Sequence, residues 1–151
     1  MAGSAVDPCD LRRFREAQDR GGIYDLALSE LAGGRKRGHW IWFVFPQLAG
    51  LGSSPTARRY AIRSLDEARA YLADELLGAR LERCCEALLS LPPATTAGSV
   101  LGELDALKLR SSMTLFGRAD PDQPIFGRML DRFYDGERDP LTERLLSPTE
   151  P

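Results

Sequence analysis

The stretch from Gly38 to Pro55, GHWIWFVFPQLAGLGSSP, constrains the fold more than any other part of the chain. It holds the single histidine, His39, and both tryptophans, Trp40 and Trp42. Ile41, Phe43, Val44 and Phe45 add further apolar bulk, so the core has to form around this segment. A basic run, Arg35-Lys36-Arg37, leads in, and Pro46-Gln47 leads out to the glycine-rich Gly50-Leu51-Gly52-Ser53-Ser54. The β-branched and aromatic residues would suit a short buried strand. No second strand-like run exists to pair with it, however, and its neighbours read as helices. A short buried helix ended by Pro46 is therefore expected.

Helical spacing recurs along the rest of the chain. Asp7-Pro8 or Asp10 caps a first helix carrying Leu11, Phe14 and Ala17 or Gln18, which Gly21-Gly22 breaks. Tyr24, Leu28 and Leu31 mark a second, stopped by Gly33-Gly34. Ser54-Pro55 opens a helix to about Ile62, and Ser64 to Glu67 has the spacing of a capping box. Asp74 caps a longer helix to about Leu91, with Leu77, Leu81, Cys84 or Cys85, and Leu88 as its apolar stripe. Adjacent cysteines on a helix point about 100° apart, so at most one of Cys84 and Cys85 is expected to face the core fully. Thr95 to Gly102 is a short helical turn or a loop. Leu104 to about Gly117, apolar on all sides, reads as a buried central helix. Pro124 opens another helix, closed by Gly136, and Asp139-Pro140 caps a last one ending near Leu146. The expected architecture is all-α: a single-domain, irregular orthogonal bundle of about seven or eight short helices. It should span residues 7–147, with 1–6 and 148–151 as tails.

The phrase KRGHWIWFVFPQLAGLGSSP, with DLRRFREAQ before it and DALKLRSSMTLF after it, resembles the bacterial DUF1810 family, also called Rv1873-like. The resemblance runs from about Asp10 to Leu146. It implies a small all-helical domain. The family carries no established activity, so the resemblance transfers no catalytic residue.

The chain's 151 residues suffice for a real core, and 43% hydrophobic with 28% charged residues is ordinary for a soluble globular protein. A net charge of -2 disfavours general nucleic-acid binding, and the short Arg35-Lys36-Arg37 run does little to restore it. The longest apolar run, Trp40 to Pro46, is too short to cross a bilayer. The N-terminal MAGSAVDPCD has no charged and apolar regions of a signal peptide, so a cytoplasmic location is expected. Three cysteines, two of them adjacent, do not form a disulfide framework. One histidine and no CxxC give no metal site, and no cofactor is expected.

Three constellations can carry chemistry. The loop Gly52-Ser53-Ser54 feeds a helix with Arg58 and Arg59, the pattern of an anion site, although neither a P-loop nor a dinucleotide fingerprint is complete. The same residues equally make a tight turn with a serine cap and solvated arginines. His39, Trp40, Trp42 and Gln47 can supply a base, stacking rings and an amide, or simply a buried histidine among core aromatics. Asp105, Lys108, Ser111, Ser112 and Thr114 lie on one helix, where Lys108 and Ser112 share a face at i, i+4. A Ser-Lys nucleophile pair is geometrically possible there, but hydroxyls bonding back to carbonyls at helix crossings are the commoner use.

His39, Lys108 and Ser112 are thus the catalytic candidates, although the sequence specifies no reaction. Trp40, Gln47, Gly52, Ser53, Ser54, Arg58, Arg59, Asp105 and Ser111 are the ligand-contact candidates. The leading expectation is one pocket for a small anionic or phosphorylated ligand, nucleotide- or ADP-ribose-like. The alternative is a non-catalytic protein-interaction module. Convergence of His39, Arg58 or Arg59 and Lys108 favours the ligand; their separation over the surface favours the module.

Overall fold

The computed structural model describes residues 7–147; the expected tails, 1–6 and 148–151, lie outside the described residues. The fold is all-α, an irregular orthogonal bundle. Its helices are α1 (Arg12–Asp19), α2 (Ile23–Ala32), α3 (Ile41–Val44), α4 (Pro55–Arg59), α5 (Leu65–Ala73), α6 (Glu75–Leu89), α7 (Ala97–Leu101), α8 (Glu103–Ala119), α9 (Ile125–Tyr134) and α10 (Pro140–Leu146), with a 3-10 turn at Arg20–Gly22. Helices α3, α4 and α7 are single turns of four or five residues. Helix α8 is the spine, packing against α5, α7, α9, α10 and α3.

The helix starts follow side-chain chemistry. Asp7 accepts from the N–H groups of Leu11 and Arg12, Ser54 from Ala57, Asp74 from Leu76 and Leu77, and Asp139 from Thr142. Each satisfies donors that a helix start leaves free. Ser64 accepts from Glu67 N–H, but the Glu67 carboxylate does not complete a capping box. It pairs instead with Arg13 at 2.9 Å, both side chains being 4% exposed. The other Arg13 donors go to the carbonyls of Cys9, Asp10, Arg59 and Ala61, so the buried charge is fully bonded.

The apolar segment folds as the one-turn α3. Trp40, Ile41, Phe43, Val44 and Phe45 are buried, while Trp42 is half-buried. After it, Leu48 and Ile62 form an isolated parallel bridge, with Ala49 N–H donating to Ile62 and Ile62 N–H donating to Gln47. This pairing stops α4 at Arg59 rather than Ile62, because the Ile62 amide is held by Gln47. It also closes off the excursion made by the glycine loop and α4.

Two further expectations are corrected. Both Cys84 and Cys85 are fully buried. Helix α6 is enclosed on several sides, by α2, α5 and α9, so directions 100° apart both end in protein. Helix α8 is buried all round only from Ser111 to Phe116. Leu104 and Leu107, in its first turns, are 75% and 54% exposed, because only its C-terminal half crosses the centre of the bundle.

Candidate functional site

A cavity of about 490 Å³ opens between α3, the glycine loop, α8 and the start of α10. Such a volume falls in the usual range for small-molecule pockets. Helix α8 contributes Leu107, Lys108, Arg110 and Ser111; the α3 segment contributes Trp42 and Gln47. The loop contributes Leu51, Gly52, Ser53 and Ser54, and Ala57, Asp139 and Leu141 complete the wall.

The loop's shape depends on two glycines. Gly50 has φ +101°, which side-chain-bearing residues rarely adopt. A Cβ at Gly52 would come within 2.6 Å of Ala57 Cβ, so the loop folds onto α4 only without a side chain there. The far wall is fixed by Thr114, whose hydroxyl donates to the Arg110 carbonyl and accepts the Asp139 N–H at 2.9 Å. That bond places the start of α10 against α8.

The two cations in the wall are differently held. Lys108 Nζ lies 3.2 Å from an Asp105 oxygen and 5.1 Å from the centre of the Trp42 ring. The other Asp105 oxygen pairs with Lys36 at 2.9 Å, so Lys108 shares that carboxylate with a second ammonium. Arg110 meets Asp139 at 3.5 Å, while its Nε–H is buried without a partner. A buried N–H left unbonded is costly, about 1–3 kcal/mol.

The structure brings Gln47, Gly52, Ser53, Ser54, Lys108 and Ser111 to this cavity, but not the other candidates. Glu30 Oε1 explains two of these. It accepts from the N–H groups of Arg37 and Gly38 and from the Trp40 indole at 2.8 Å. Trp40 is thereby held in the core and His39 faces outward, exposed. Arg58 is spent on its own loop, donating twice to the Ser53 carbonyl. Arg59 lies over the Tyr60 ring. Asp105 stands behind Lys108. Ser112 is wholly buried with an unpartnered hydroxyl, and Lys108 is bonded to Asp105, so they form no nucleophile pair. Ser111 donates back to the Leu107 carbonyl at 3.2 Å.

Sequence reasoning missed Arg110, Asp139 and Leu141. The first was legible in principle, since Arg110 lies three residues after Leu107 on the same side of a helix. The other two depend on how α10 docks, which no local pattern encodes. Among the described residues, no group of three or more His, Cys, Asp and Glu side chains is placed to hold a metal ion. No helix among them is long and apolar enough to cross a membrane.

The architecture defines an all-α bundle with a polar, cation-bearing cavity beside its spine helix. The chain belongs to the family described as protein of unknown function DUF1810, whose sequence profile matches residues 8–146. It is also similar to the conserved hypothetical protein Rv1873 from Mycobacterium tuberculosis, known from a crystal structure. The TM-score is 0.91 at 49% identity, over 95% of this chain and 100% of that one. No curated protein matches.

Proposed function

We propose that the protein binds a small anionic ligand of phosphorylated, nucleotide- or ADP-ribose-like character in the cavity beside α8. The observation that carries this reading is the pair Lys108 and Arg110 in one cavity wall, both side chains partly exposed. A guanidinium suits phosphate or carboxylate. Gln47, Ser53 and Ser54 add polar contacts, and Trp42 offers a ring. Three free thiols fit a reducing, cytoplasmic compartment.

A thermal-shift panel of phosphate, nucleotides, sugar phosphates and ADP-ribose tests the reading. A ligand at about a hundred times its dissociation constant stabilises by roughly 2.7 kcal/mol, a shift of several degrees. The shift should shrink in Lys108→Met and in Arg110→Met and vanish when both are replaced. If no anion raises the melting temperature, the reading fails.

The second reading is an interaction module. Leu104, Leu107, Leu141 and Leu145 are exposed, and His39, Arg58 and Arg59 lie away from the cavity that Lys108 lines. That separation is the pattern expected of a surface used for partners. A silent anion panel together with self-association or partner capture that Leu104→Ser and Leu107→Ser abolish would favour it.

A further inference from the structure

The two cations do not stand side by side. Residues advance by about 100° along a helix, so Leu107 and Ser111 form a central strip with Lys108 about 80° to one side and Arg110 about 80° to the other. The contacts agree with this placement. Lys108 lies on the α3 flank, over Trp42, whereas Arg110 lies on the α10 flank, against Asp139. The strip between them is Leu107, half exposed, and Ser111, whose hydroxyl proton is already given to the Leu107 carbonyl. The cavity thus has a charged group at each flank and a mostly uncharged floor between them.

Each cation meets a single carboxylate oxygen, Lys108 the Asp105 Oδ1 and Arg110 the Asp139 Oδ1, and each carries further N–H donors. Lys36 shares Asp105 and holds the closer contact, 2.9 Å against 3.2 Å for Lys108. Asp139 caps α10 through Oδ2, which accepts from the Thr142 N–H and hydroxyl. Its Oδ1 meets Arg110 at 3.5 Å. Of the charged residues that line the cavity itself, Lys108 and Arg110 outnumber the single carboxylate, Asp139.

We infer that the ligand is bis-anionic: a molecule with two separated phosphate or carboxylate groups, one on Lys108 and one on Arg110, and an uncharged spacer over Leu107 and Ser111. The inference rests on the anion-binding reading above and narrows it. A monoanion meets one cation only. A two-ended ligand gains the second contact within the molecule, and that gain is greatest when the spacer matches the span, roughly the width of a helix, about 10 Å.

Isothermal titration of the full chain with α,ω-alkane bisphosphonates of graded length, the matching monophosphonates and the matching dicarboxylates tests this. Affinity should pass through a maximum with spacer length, at least about tenfold above the monophosphonate. The dicarboxylate arm shows whether phosphate or carboxylate is the preferred head. Lys108→Met and Arg110→Met should each cut the best bisphosphonate to the monophosphonate level and abolish the dependence on spacer length, since only one cation then remains. Arg110→Lys keeps a charge at that flank if the methionine variant fails to fold, and should retain the length dependence. Monophosphonates and bisphosphonates binding equally well would overturn the inference and leave the anion reading standing. No binding by either class would overturn both.

Discussion

The Trp40 indole donates to Glu30 Oε1 at 2.8 Å, which makes one carboxylate at the end of α2 the anchor for the whole aromatic segment. The same oxygen accepts two backbone N–H groups, from Arg37 and Gly38. Burial works to raise the Glu30 pKa, but these three donors and nearby Lys36 outweigh it and hold the carboxyl below its ordinary value of 4.5. A depressed folded-state pKa means that the stabilisation is present above the unfolded value and is lost as pH falls through the folded one. The wild type should therefore lose stability on acidification below about pH 4.5. Glu30→Gln should be less stable at neutral pH, by roughly 1–3 kcal/mol, with a flatter acid limb. Urea unfolding followed through tryptophan fluorescence at stepped pH measures both; an unchanged acid limb would show that Glu30 is not the anchor.

The two tryptophans should separate in their cost. Trp40→Ala removes a fully buried ring and should cost roughly 3–5 kcal/mol. Trp42 is half-buried in the cavity wall, so Trp42→Ala should cost roughly 1–2 kcal/mol, and its main effect should fall on ligand binding. Chemical denaturation of the two variants checks the order. Equal costs would mean that Trp42 is part of the core.

That pair also shows how far the sequence was legible. The concentration of apolar mass at Trp40 to Phe45 required a buried segment, and it is one, as a helical turn. Which tryptophan faces the cavity was not legible, because it follows from the Glu30 clamp, a contact across ten residues of chain that has no periodic signature. The caps at Asp7, Ser54, Asp74 and Asp139 were readable because capping is local chemistry. The Arg13–Glu67 pair was not, since it joins residues 54 apart and takes the glutamate that a capping box would have used. Helix α8 read as buried throughout because leucines at 104 and 107 look like core; only packing reveals that they lie at its uncovered end.

Thiol reactivity follows from burial. Burial pushes the Cys84 thiol up to about 12 and raises Cys85 well above its ordinary value. A thiol reagent at pH 8 should modify Cys9, which is half-buried, in the native protein and reach Cys84 and Cys85 only on unfolding. Titration with and without denaturant should count one and then three thiols. Three fast thiols under native conditions would contradict the enclosure of α6.

Arg58 and Arg59 serve as a control for the site. Both are exposed, one bonded to its own loop and the other lying on Tyr60. Replacing both with alanine should leave the melting temperature nearly unchanged, because exposed charges contribute little. Anion affinity should change only weakly. A large loss of affinity in the double variant would move the site to the start of α4.

The most direct measurement is a crystal structure of the protein soaked with pyrophosphate. Phosphate density is expected in the cavity beside α8, within hydrogen-bonding distance of the Arg110 guanidinium or of Lys108 Nζ and reached by the polar groups of Ser53, Ser54 or Gln47. An empty cavity, or an anion bound only at Arg58 and Arg59, would contradict it.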